Sequence, residues 1–269
     1  MKRKTNTAFD HKNFSQRLNS MLRVDFRRMF SSSMLWIMLG CALVIPILIL
    51  VMATGFTGTT VADPNTGIET TMEAFTNTWQ IIASDSGSMN MMDMTAMMNI
   101  NLMYFLAGIF MCLFVGEDFR SGYAKNLFTV RSLKGDYVAS KTIAGFVAGA
   151  LMLIAFFIGA LLGGSFAGLS FDLGTAGVFG VVMCMLAKIS LMLVFVAIFL
   201  LMSVFAKQRT WLSILLALFG GMLLFMMIPM MTPLNSGIGN LFMCLVGGAI
   251  FAVGIGQGSR LILQKTSLV

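Results

Sequence analysis

The chain has 269 residues, of which 58% are apolar and only 11% charged, with a formal net charge of +7. Soluble domains carry roughly a quarter charged residues, so this composition excludes an ordinary soluble globule and points to an all-α integral membrane protein. About six apolar runs are long enough, at about 20 residues each, to cross the roughly 30 Å of bilayer hydrocarbon as helices.

The N-terminal head (1–33) is basic, with Lys2, Arg3, Lys4, Lys12, Arg17, Arg23, Arg27 and Arg28. The first apolar run begins at Met34 and is too long for a signal-peptide core, so no cleavage is expected. Within the head, Phe14, Leu18, Met21, Leu22, Phe26, Met29 and Phe30 recur at helical spacing, with most of the polar residues off that stripe. This pattern predicts an amphipathic helix lying in the membrane interface. Asp25 falls inside the apolar stripe, where a bare carboxylate is costly. Its nearest local partner is Arg28, three residues on. Snorkelling to water is one reading; contact with the charged segment 116–142 or with a partner is the other.

Span one covers Met34 to Thr54, with Pro46 as a possible kink. The polar stretch 55–95 holds Asp63, Glu69, Glu73, Asp85 and Asp93 without a Lys or Arg and belongs outside. Within it, 70–83 reads as a short surface helix with Phe75, Trp79 and Ile82 on its apolar side and Trp79 as an interfacial anchor. Span two runs from Ala96 to Val115. It delivers the longest charged segment between two membrane runs, GEDFRSGYAKNLFTVRSLKGDYVASKT (116–142), which is expected to sit in water with a short helix in its first half. Span three, Ile143 to Gly163, places Gly145, Gly149, Gly159 and Gly163 on about one face as small-xxx-small pairs, interrupted by Met152 and Phe156.

Span four, Val178 to Ala206, contains Lys188, the one charge inside any run. Counting back from Lys207 at about 1.5 Å per residue puts Lys188 roughly 28 Å up, near the outer boundary. It either snorkels or lines the outer part of a substrate path together with Asn99 and Asn101. Lys207 and Arg209 mark a tight inner turn before span five, which starts at Trp211 and ends near Pro229; span six runs from Ile238 to Gly256. The span region is therefore 34–257 and the tail 258–269. All eighteen Lys and Arg residues except Lys188 fall on one side, and the other side carries acids alone. The positive-inside rule then puts both termini in the cytoplasm.

Little here supports chemistry. Gly135 to Thr142 reads GDYVASKT, near the phosphate loop GxxxxGK[ST], but Ser140 replaces the second Gly and the segment leads into a membrane helix rather than out of a strand. Cys41, Cys112, Cys184 and Cys244 lie in separate runs and read as inert packing. The patch Met89, Met91, Met92, Met94, Met97 and Met98 reads as an adaptable apolar surface at the outer boundary rather than a copper site, since Met recurs in every span. No catalytic constellation, metal site, cofactor or nucleic-acid partner is expected.

Glu117, Phe119 and Gly122 after span two, followed by Arg131, Tyr137 and Lys141 before span three, resemble the E-(aromatic)-x-x-G and later basic positions of type-2 (ABC-2) ATP-binding-cassette exporter permeases. The likeness is to the small bacterial kind found with bacteriocin-immunity and bacitracin-resistance systems, and it covers the layout of the whole chain. It implies a six-span permease with an N-terminal interface helix and a cytoplasmic coupling helix, Gly122 to Val130. Tyr123, Leu127 and Phe128 would face a separate ATPase dimer. It also implies a second permease copy, identical or homologous, membrane lipid around the assembly, and no catalysis in this chain. Trp211 to Gly256 is 46 residues, so any re-entrant element between the last two spans must be short. The competing reading is a channel or accessory membrane protein without an ATPase.

Overall fold

A computed structural model describes residues 13–55, 60–62, 69–71, 75–83, 99–130, 134–207, 209–225 and 228–265. The amphipathic stripe in the head forms α1 (Phe14–Ser31), which leads after one residue into α2 (Ser33–Gly55). A three-residue antiparallel pair, β1 (Thr60–Ala62) with β2 (Glu69–Thr71), lies in the segment 55–95; the end of the bundle at this segment is called outer and the opposite, basic end inner, after the expected topology. Among the described residues the α-helices that follow are α3 (Leu102–Arg120), α4 (Tyr123–Val130), α5 (Lys134–Ala167), α6 (Gly177–Ala206), α7 (Thr210–Phe225), α8 (Ile228–Met231) and α9 (Ile238–Lys265). Five helices among the described residues, α2, α3, α5, α6 and α9, are long and apolar enough to cross a membrane.

α7 has 16 residues. At 1.5 Å each they reach about 24 Å, short of the hydrocarbon thickness. Its course is nevertheless end to end. Thr210 at its start touches Gly116 on α3, Phe225 at its end packs at a tilt against Phe105 with ring centroids 5.1 Å apart, and Thr232 just past α8 reaches Lys188. The four-residue α8 continues this course and is, among the described residues, the one further helix between α7 and α9. The turn into α7 is as tight as expected: Lys207 adopts φ 51° and its N–H donates to the Ser203 carbonyl.

α5 is the axis of the bundle, packing on α2 along much of its length and also meeting α1, α3, α6 and α9. Its glycines explain how. The inner pair seats neighbours from α3 and α6: a Cβ at Gly145 would fall 2.3 Å from Met111 Sδ, and one at Gly149 would fall 2.6 Å from Met192. The outer pair seats α2, with the Leu43 carbonyl oxygen 2.1 Å from a Cβ at Gly159 and Ile47 Cα 2.9 Å from one at Gly163. Small residues let helix backbones approach where lipid supplies no hydrophobic drive for association. The groove is thus two separate seats, with Met152 and Phe156 buried between them. Pro46 sits in the outer seat beside Gly159, without ending α2.

The outer loop departs from expectation. Residues 69–71 form β2, and the helical part shrinks to a 3-10 turn, Thr78–Ile81, capped by Asn77 and Gln80. Phe75, Trp79, Ile81 and Ile82 are buried, not laid on a surface. Trp79 packs between Phe157 and Phe171, each at 6.3 Å, and Thr78 lies over Gly164. The reason is apolar burial. Four apolar side chains within eight residues gain more from closing the end of the bundle than a short isolated helix gains from its own backbone bonds. Hydrogen bonds from Thr78 N–H to the Ser170 carbonyl (3.0 Å) and from Ile100 N–H to the Ile81 carbonyl (2.9 Å) stitch this plug in place.

Candidate functional site

Two polar sites are built into the apolar bundle, one at each end. The inner one arises because α3 does not stop at the end of its apolar run. No breaker follows Gly116 until Gly122, whose φ of 75° suits glycine and turns the chain into α4. The last turn of α3 therefore carries Asp118 inward beneath Phe114 and Met111 at helical spacing, all three buried. On the other side, α5 begins at Lys134, so Tyr137, Ser140 and Lys141 lie on a membrane helix and turn into the bundle. The segment expected to sit in water thus has its central charges out of water: Asp118 and Lys141 are 0% exposed and Asp136 4%. The phosphate-loop look-alike is helical throughout, and its lysine is taken up by carboxylates.

Lys141 Nζ stands 2.9 Å from Asp25 Oδ1 and 2.7 Å from Asp118 Oδ2. Ser140 Oγ donates to Asp25 Oδ2 at 2.5 Å and the Tyr137 hydroxyl to Asp118 Oδ2 at 3.0 Å. Arg28 Nη1 approaches Asp118 Oδ1 to 2.7 Å as an ion pair whose angle is not that of a hydrogen bond. Two carboxylates and two cations balance in charge. Phe114 closes the site, its ring 3.9 Å from the Lys141 ammonium. Asp25 neither snorkels nor pairs with Arg28; it is 1% exposed and reaches α5. The two residues are three apart on α1 but take different partners, because carboxylate and guanidinium each find an opposite charge on a neighbouring helix.

α4 is tied to this cluster through Tyr123, whose ring lies 4.3 Å from the Arg28 guanidinium. Burial, then the Asp25 and Asp118 carboxylates, push the Tyr123 phenol above its ordinary range, with Arg28 opposing. Burial works against the Arg28 charge, but the Asp118 carboxylate outweighs it and the guanidinium is held more firmly protonated than usual. Phe128 stands edge-on to Tyr137 at 5.3 Å and Leu127 packs on the core. Tyr123, Leu127 and Phe128 are therefore half-buried against the bundle rather than projecting from it. The outward edge of α4 is Lys125, Asn126 and Thr129. Glu117 is exposed and pairs with Arg120 beside that edge. Arg131 lies outside the described residues, as does the Met-rich patch of the outer loop.

The outer site centres on Lys188. It does not snorkel: it is 0% exposed, and its Nζ donates to Asn101 Oδ1 at 2.9 Å and Thr232 Oγ1 at 3.0 Å. Tyr104 donates to the Lys188 carbonyl at 2.7 Å, and Asn99 Oδ1 accepts from the Asn101 N–H at 2.9 Å. Cys184 contacts the Thr232 carbonyl. Among the described residues no carboxylate reaches Lys188, and no group of His, Cys, Asp and Glu is placed to hold a metal.

Sequence reasoning named Asp25, Arg28, Tyr123 and Lys188 but missed Asp118, Ser140 and Thr232. The signal for Asp118 was present: an unbroken helical register with Phe114 and Met111. Thr232 gave none, because only the return of the chain from α8 brings it beneath α6.

No curated protein and no solved structure matches the chain. The profile described as ABC-2 family transporter protein matches residues 22–224, from α1 to the end of α7. That is well over half of the chain and includes both polar sites apart from Thr232. The chain belongs to the ABC-2 transporter family, as a multi-pass permease subunit of an ATP-binding-cassette transporter.

Proposed function

We propose that this permease exports a hydrophobic or amphipathic substrate, of the peptide-antibiotic or bacteriocin kind, across a bacterial plasma membrane, driven by an ATPase dimer that docks on α4. The supporting observation is the placement of α4: a helix of eight residues, exposed along one edge and joined through Tyr123 and Arg28 to a charge cluster shared by α1, α3 and α5. A push on α4 reaches three helices at once through short, charged contacts. Energy coupling of this kind needs packed elements and no chemistry in the chain itself.

Six crossings and cytoplasmic termini follow from the same reading. The ends of α3, α6 and α9 and the starts of α5 and α7 gather at one end of the bundle. This is the basic end, which the positive-inside rule assigns to the cytoplasm. Two permease copies, identical or homologous, would flank the path. Lys188, Asn101 and Asn99 would line its outer part, since an ionisable side chain held within a membrane bundle marks a pathway more often than a support.

The test uses the outward edge of α4, which can be altered without disturbing the core. Lys125→Glu combined with Asn126→Asp should leave the protein inserted and folded, yet reduce capture of the co-expressed ATPase by at least about tenfold, as loss of an interface anchor does. The double change Leu127→Ser and Phe128→Ser should do the same while also lowering stability. An undiminished complex in both variants would remove α4 from the docking surface.

A further inference from the structure

A second, unassigned feature is a cleft of about 570 Å³ between α1, α5, α6 and α9 at the basic end. Its mouth is polar: Arg17, Asp136, Gln257 and Arg260. Further along it is apolar, with Ile143, Leu193, Ala252 and Val253. From Arg260 back to Ala249, α9 climbs about 16 Å at 1.5 Å per residue, so the lining changes from charged to hydrocarbon over the depth at which a lipid does. The frame is fixed. Arg17 pairs with Asp136 at 2.9 Å, and Lys134 Nζ donates to the Leu263 carbonyl, pinning α1 and α9 to the start of α5.

Among the described residues that line the cleft, Arg260 is the cation without a carboxylate. Its arm lies across Gly135 in van der Waals contact, with Cδ 3.6 Å from where a Cβ would stand. With Asp136 answered by Arg17, the described residues of the mouth carry one net positive charge. Basic pockets between membrane helices at this level take anionic headgroups, and the volume lies within the range of small-ligand sites.

We infer that this cleft binds one anionic glycerophospholipid of the leaflet at which both termini lie, with its phosphate on Arg260 and an acyl chain along α5 and α9. The inference rests on the membrane reading of α5 and α9 given above and needs no ATPase or transport.

Native mass spectrometry of the purified full-length permease, incubated with vesicles of equal phosphatidylglycerol and phosphatidylcholine, tests it. The unaltered chain should retain phosphatidylglycerol in preference. Arg260→Gln should lower that retention about fivefold and leave phosphatidylcholine unchanged, the effect of one basic residue near a membrane surface. Ala252→Trp, which fills the apolar part and keeps the charge, should lose the bound lipid altogether. Thermal melts of both variants identify any that fail to fold, and the other then decides. Equal retention by all three proteins, or no preference between the two lipids, would overturn the site. If inorganic phosphate alone binds the Ala252→Trp variant as strongly as it binds the unaltered chain and displaces the lipid, Arg260 belongs to a free-anion site and the lipid assignment falls. Because ATPase capture is read separately, neither failure can be taken for the other.

Discussion

The two ends of the bundle bury charge in opposite ways. At the inner end Asp25 and Asp118 are matched by Lys141 and Arg28, and Ser140 and Tyr137 supply further donors. At the outer end Lys188 has, among the described residues, only neutral partners, Asn101 and Thr232. A matched cluster in low dielectric is rigid, because removing any member leaves a charge stranded. A lysine with neutral partners has no such hold on its surroundings and keeps capacity for an incoming group. On the function proposed above, the inner site would transmit force and the outer one would meet the substrate as it passes.

The largest effect should come from Lys141→Met. It strands Asp25 in the bundle and leaves Asp118 to Arg28 alone, at a cost of about 3–5 kcal/mol. Thermal unfolding in detergent and the yield of inserted protein should both fall sharply, and a yield and melting temperature like those of the unaltered chain would strip the cluster of its structural role. Asp25→Asn should cost less, about 1.5–3 kcal/mol, since Asp118 keeps both cations. Combining the two changes should cost less than their sum, because they remove members of one network; strict additivity would show that Asp25 and Lys141 do not depend on each other. Lys188→Met should have the smallest effect on folding, within about 1 kcal/mol, since the unmatched charge leaves with the hydrogen bonds it made. Substrate-stimulated ATP hydrolysis in the reconstituted complex should nevertheless fall to its basal rate. A stability loss as large as that of Lys141→Met would make the two ends alike and end the contrast.

The elements legible beforehand are those governed by local pattern. The stripe from Phe14 to Phe30 became α1, the apolar runs became α2, α3, α5, α6 and α9, and the short helix after Gly122 became α4. The glycines of α5 marked close approach correctly, though not that the inner and outer pairs seat different helices. Where a local pattern competed with burial, burial decided. Phe75, Trp79 and Ile82 were spaced for a surface helix but close the outer end of the bundle. Tyr123, Leu127 and Phe128 were read as an outward face, yet they lie half-buried over Tyr137 and Arg28.

Charge shows the division most clearly. Composition and the one-sided distribution of Lys and Arg determined that this is a multi-pass membrane protein and which end of it is basic, because the cost of placing a charge in hydrocarbon acts residue by residue. Which of those charges leave the water was decided only by the tertiary structure. Asp25, Asp118 and Lys141 are separated by up to 116 positions, and the two carboxylates are tolerated inside the bundle only because Lys141 reaches both and Arg28 reaches Asp118. Such compensation depends on distances that no segment of the sequence contains.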